Sequence, residues 1–265
     1  MDNEVPDYLF HYTTIETLAL ILKNKTFRFT RLSNLNDPLE GKGHNFKQAE
    51  HFVFSSSWTV AERDTIPMWK MYSDLKGVRL KFPGDLFVDR ADIHYGPWGG
   101  ATFHHASLSE PVKIHTTEPI LGENNAITSR TISGPDPVRY LADGKLTETE
   151  RIVYGTPFFE NAKDVLLGPV GLYKNDDWEF EEEWRFRFLP WVHLSAVNSN
   201  NFDQRFESIQ VQEHFVDIPI LDAAFDRLEV MLGPKSDVAS EVIVKALIEK
   251  FAPKAQVLKS EILVV

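Results

Sequence analysis

Phe180-Glu181-Glu182-Glu183-Trp184-Arg185-Phe186-Arg187-Phe188 sets aromatic and charged side chains in alternation, the pattern of a β-strand whose two faces meet different surroundings. Phe180, Trp184, Phe186 and Phe188 point one way, and Glu181, Glu183, Arg185 and Arg187 the other. A strand over 180–188 puts the carboxylates of Glu181 and Glu183 on one face, roughly 7 Å apart. Like charges that close raise each other's pKa, which suits proton transfer. Pairing with Arg185 and Arg187 would instead make the same face a solvated, neutralised edge.

Working outward, Tyr8-Leu9-Phe10-His11-Tyr12 reads as a short strand. Thr13 with Glu16 forms a capping box, and Ile15, Leu18, Ala19 and Leu22 carry helical spacing. Phe27 to Thr30 alternates like a second strand, and Ser33-Asn34-Leu35-Asn36-Asp37-Pro38 is a loop rich in turn formers. A strand over 52–57, a short helix around Met68 to Tyr72 and a strand over 77–82 follow. Residues 157–167 read as a helix. The end of the chain reads strand (228–232), Gly233-Pro234 turn, helix (238–251) and strand (256–264).

Residues 91–157 are poorly patterned, with Gly-Pro-Trp-Gly-Gly at 96–100, and read as long connections or an insertion over a cleft. These elements describe an α+β protein, a single domain over 1–265 with a loop-rich insertion at about 91–157.

Composition narrows the setting. The 265 residues are 43% hydrophobic and 25% charged, an ordinary globular profile, and 19 Phe and 6 Trp can fill a large core. The absence of cysteine removes disulfides, thiolate metal sites and thiol nucleophiles, and is compatible with a cytoplasmic protein. The N-terminus is acidic where a signal peptide would be basic, and no apolar run approaches the ~18 residues that span a bilayer. No membrane partner is expected. A net charge of −11 argues against loose binding to nucleic acid.

Familiar signatures are missing: the chain has no phosphate-binding glycine loop, no H-E-x-x-H and no G-x-S-x-G. Adjacent His104 and His105 lack further ligands, so no metal site is expected. His11 precedes a helix N-terminus, where anions are favoured, and reads either as a core histidine or as a nucleotide contact. Trp69 and Tyr72 share a helix face and read as packing or as a stacking platform.

Taken in order, Phe10-His11-Tyr12-Thr13-Thr14, Ser33-Asn34-Leu35-Asn36-Asp37-Pro38-Leu39-Glu40, Met68-Trp69-x-x-Tyr72, Gly77-Val78-x-Leu80-x-Phe82, Lys174-x-x-x-Trp178-x-x-Glu181-x-Glu183-Trp184-Arg185 and Leu232-Gly233-Pro234 resemble a widespread bacterial family of unknown function. More loosely, the opening strand with its histidine, the helix after it and the late E-x-E pair resemble ADP-ribosyltransferase-like domains, DNA-targeting ADP-ribosyltransferase toxins among them. That resemblance implies a mixed, largely antiparallel split β-sheet with flanking helices.

It also implies an enzyme that cleaves NAD, its substrate, and transfers ADP-ribose to a nucleic acid or protein. A toxin or phage-defence effector, with a neutralising antitoxin as partner, is the implied setting. Glu183 would stabilise the charge that builds on the ribose, and Glu181 would act as base. His11 would bond the adenosine-side ribose and Tyr72 or Trp69 would stack on nicotinamide, with Tyr12, Thr13 and Asn36 completing the NAD site. Two competing readings stay open: a non-catalytic nucleotide or nucleic-acid binding module, and a Mg²⁺-dependent nuclease using Asp37, Glu40, Glu181 and Glu183.

Overall fold

A computed structural model describes residues 5–41, 48–87, 90–93, 103–116, 126–142, 153–155, 162–190, 192–195 and 206–264. The N-terminal half supplies β1 (Tyr8–Thr13), α1 (Ile15–Asn24), β2 (Thr26–Arg31), β3 (Phe54–Thr59), α2 (Ile66–Ser73), β4 (Val78–Pro83), β5 (Arg90–Ile93), β6 (Phe103–His115) and β7 (Ala126–Pro137). Next come β8 (Arg139–Leu141), β9 (Val153–Gly155), β10 (Ala162–Leu166), β11 (Tyr173–Asn175), β12 (Glu183–Phe188) and β13 (Val192–Ser195). The chain closes with β14 (Phe215–Pro219), α3 (Asp222–Phe225), β15 (Glu229–Leu232), α4 (Val238–Phe251) and β16 (Gln256–Lys259).

Local chemistry explains the helices. Thr14, one residue beyond the expected cap, accepts from Thr17 N at 3.2 Å, and Leu18, Ile21 and Leu22 turn inward. Pro67 lies in the first turn of α2, where its missing N–H costs nothing. Asp237 caps α4 by accepting from Ser240 N at 2.7 Å.

Among the described residues, eleven strands form one sheet in the order β16-β15-β4-β1-β3-β12-β7-β6-β5, with β2 joining β3 to β14. The pairs in that sheet are antiparallel except β15 with β16. The fold is therefore α+β with a mixed, mostly antiparallel open sheet. One face carries Leu9, Trp58, Leu80, Phe82 and Phe186 in the main apolar core, with α1 packed into it. No helix among the described residues is long and apolar enough to cross a membrane.

Several expectations change. The stretch over 91–157 carries β6 and β7, whose ladder extends the sheet beyond β12, so its described parts are strands rather than loops. Residues 162–166, read as helix, form β10 between β9 and β13. In both cases the strand is stabilised by a distant partner, a cause that local periodicity does not report. Strand β12 begins at Glu183; Phe180 and Glu181 belong to a 3₁₀ turn over Asp176–Glu181, and Glu182 takes a left-handed φ of 45°. Strand β16 stops at Lys259 rather than continuing to 264.

The sheet forks at its centre. β1 meets β3 at a single register, Phe10↔Thr59, while β2 pairs the other end of the same β3 edge through Thr30↔Ser55 and Arg31↔Phe54. Between those contacts the edge of β3 over Ser56–Trp58 is left open, because α1 carries the chain away from β1 and returns it as β2.

Candidate functional site

The fork is where the candidate site forms. Pleating puts His11 on the opposite sheet face from Phe10 and Tyr12, beside Phe27 (4.7 Å between ring centroids) and Trp58 (5.4 Å). In the gap its Nδ1 lies 2.8 Å from the Ser57 carbonyl oxygen, supplying the donor that a continued β1–β3 ladder would have given. With Nδ1–H donating there, Nε2 is the lone-pair nitrogen of the ring. Burial holds this imidazole at about 4, the Ser57 bond only partly offsetting it, so the ring is neutral at physiological pH.

A small pocket, part of it open to solvent, runs into the fork. Its apolar walls are Phe10, Tyr12, Trp58 and Met68, and its polar lining is His11, Ser57, Thr59, Tyr72, Glu181 and Glu183. The two carboxylates arrive by different routes. Glu183 opens β12 opposite Thr59, and Glu181 ends the preceding 3₁₀ turn. The left-handed Glu182 between them bends the chain so that both converge on Lys174, 2.6 Å from Glu181 and 3.3 Å from Glu183.

Beneath the pocket the charged face of β12 is buried rather than solvated. Arg185 is 1% exposed and grips Glu183 with Nε (2.6 Å) and one terminal nitrogen (2.9 Å). The same guanidinium reaches Glu40 at 2.8 and 2.9 Å and the Gly171 carbonyl at 3.0 Å. Lys174 stands 3.7 Å from Glu40 and 4.3 Å from the centre of the Trp178 ring. Arg187, also fully buried, pairs with Asp136 at 2.9 Å. The Tyr72 hydroxyl donates to Glu181, and Glu183 N donates to the Tyr140 hydroxyl at 2.8 Å.

This wiring separates the two carboxylates. Burial pushes Glu183 upward, but Arg185 and Lys174 outweigh it and hold the group at about 2, a fixed anion. Burial likewise raises Glu181, and there Lys174 and Tyr72 do not fully compensate, so it ionises less readily than an ordinary glutamate. Burial and the adjacent Glu181 charge raise Tyr72, which stays a neutral donor. A pair of carboxylates driven apart in this way is the usual mark of distinct acid–base roles.

The expected site residues divide. His11, Tyr12, Tyr72, Glu181 and Glu183 line one pocket. Trp69 does not: it is wholly buried, donates Nε1–H to Asp64 at 2.8 Å and packs edge-on against Tyr12 at 4.9 Å, a core residue beneath the site. Thr13 is buried at the end of β1, with its carbonyl 2.2 Å from where a Cβ on residue 77 would stand, which is why Gly77 is there. Asn36 is exposed in its loop and outside the lining.

Sequence reasoning assigned no role to Lys174, Ser57 or Tyr140, and gave Glu40 one only as a metal ligand. The spacing of Lys174 ahead of Trp178 and Glu181 was the available signal for the first. Among the described residues no cluster of histidine and carboxylate groups is arranged to hold a metal ion; the carboxylates of Glu40, Glu181 and Glu183 face an ammonium and a guanidinium instead. Comparisons with protein-family models, curated proteins and solved structures gave no match.

Proposed function

We propose that the fork pocket binds the nicotinamide–ribose part of NAD and breaks the bond between them, in an ADP-ribosyltransferase-like enzyme that passes ADP-ribose to a nucleic acid or protein. The observation that carries this reading is the pair Glu181 and Glu183, in one pocket with His11 and Tyr72, driven to opposite ionisation behaviour.

Breaking an N-glycosidic bond builds positive charge on the sugar, and a preorganised anion lowers the energy of that state. Glu183, held as an anion, supplies such a field. Glu181, less ready to ionise and hydrogen-bonded to Tyr72, can exchange a proton with the incoming acceptor. The nicotinamide of NAD is itself a cationic ring, suited to aromatic walls beside three carboxylates that outnumber their two cations. His11, fixed by Ser57, presents its Nε2 as an acceptor for a ribose hydroxyl.

Released nicotinamide from NAD tests the reading. We expect turnover by the native chain and its loss in Glu181→Gln, with the rise in melting temperature caused by NAD retained. Glu181 is the better substitution, because removing it leaves Glu40 and Glu183 matched by Lys174 and Arg185. A second reading, binding without turnover, is favoured by the occupation of both Glu183 oxygens by Arg185. In that case NAD raises the melting temperature of the native chain and no nicotinamide appears.

A further inference from the structure

The charged groups below the pocket are unequally connected. Arg185 spends its five donor hydrogens on Glu183, Glu40 and the Gly171 carbonyl, leaving none for Glu181. Among the described residues, the cation that reaches Glu181 is Lys174, at 2.6 Å. Lys174 is 4% exposed, and its ammonium also faces Glu183 at 3.3 Å, Glu40 at 3.7 Å and the Trp178 ring at 4.3 Å. It is thus the bridge between the deep Arg185 cluster and the carboxylate at the pocket wall.

We propose that Lys174 is a positioning residue: its shared ammonium aims Glu181 and Glu183 into the pocket and decides whether Glu181 carries a proton there. This deepens the proposed reading by naming what controls its proton-transfer group, but it rests on the geometry of the cluster and not on the identity of the ligand.

The groups around Glu181 are few and come from separate elements. Tyr72 on α2 donates to it, and Tyr140 on β8 bonds the backbone of Glu183. Glu183 and Arg185 face the cluster from β12, Glu40 from the loop after β2, and neutral His11 from across the pocket. Two of these, Glu40 and Glu183, disfavour a second anion nearby; Arg185 is already saturated by them. Lys174 is therefore the group whose removal changes the balance at Glu181 most. An opposite charge within about 4–6 Å lowers a carboxylate pKa by about 1–3 units, so its loss returns that amount.

The test uses the full chain labelled with ¹³C at glutamate carboxyls, with the Glu181 resonance identified by its absence in Glu181→Gln. We expect Lys174→Met to raise the Glu181 titration midpoint by about 1–3 pH units, and Lys174→Arg to bring it most of the way back. An unchanged midpoint in Lys174→Met overturns the proposal. Should Lys174→Met fail to fold, the paired variant Lys174→Met/Glu181→Gln restores the original excess of one carboxylate. It is expected to recover a cooperative melt that Lys174→Met lacks, and a paired variant that also fails to fold overturns the proposal. Neither readout involves NAD, so a failure of NAD turnover leaves this result standing, and the reverse holds as well.

Discussion

The Ser57 carbonyl accepts from His11 Nδ1 at 2.8 Å, across a gap in which β1 and β3 have ceased to pair. One side chain thereby closes the hydrogen-bond deficit of a forked sheet and, with its other nitrogen, furnishes a pocket. Strand alternation alone would keep His11 and Glu183 on opposite faces. They share a pocket because the ladder is interrupted between them.

Burial of that imidazole, which the Ser57 bond only partly offsets, makes stability depend on acidity. His11 is held at about 4 against an ordinary 6.5, so between those values the unfolded chain takes up a proton that the folded one refuses. Stability is full above pH 6.5 and falls as the pH drops toward 4, by on the order of 2 kcal/mol after allowance for partial exposure. His11→Asn, whose amide can still donate to Ser57, should flatten the fall in that window. Urea midpoints measured at several pH values check it.

A second acid transition lies lower. Glu183 is held at about 2 against an ordinary 4.5, so its contribution is complete above 4.5 and disappears as the pH falls toward 2. Arg185→Met leaves Glu183 and Glu40 buried without their guanidinium and should cost about 3–5 kcal/mol at neutral pH. Chemical denaturation gives that loss directly. A loss below about 1 kcal/mol, the worth of an exposed pair, would mean that the cluster is wet.

Tyr72→Phe removes the hydroxyl that donates to Glu181 and keeps the ring against the pocket. Stability should change by about 1 kcal/mol. Nicotinamide release, by contrast, should fall at least about tenfold, the range expected when a proton-transfer group loses its partner.

Trp69 and Tyr72 should behave in opposite ways, although both lie on α2. Trp69 is wholly buried against Tyr12 and anchored to Asp64. Trp69→Ala is expected to cost about 3–5 kcal/mol. Trp69→Phe, which keeps most of the packing, should leave the NAD-induced rise in melting temperature in place. A thermal melt with and without NAD separates the two effects.

Much of the scaffold is legible in the sequence alone. β1, α1, β2, α2, β4, β15 and α4 follow from apolar spacing, caps and turn residues within a few positions of one another. The contrast between the two faces of β12 was also visible, and so was the set His11, Tyr72, Glu181 and Glu183 as polar candidates.

Tertiary structure decided the rest. β6, β7 and β10 are strands because distant partners complete their ladders. Glu181 left the strand because Glu182 turns left-handed before Glu183 joins β3. The charged face of β12 could be buried only because Glu40, far away in the chain, and Lys174, on a separate strand, close over it. Local sequence sets backbone preference and side-chain direction, which act over a turn or a strand. Whether a charge meets water or a counter-charge is a property of space, and residues distant along the chain determine it.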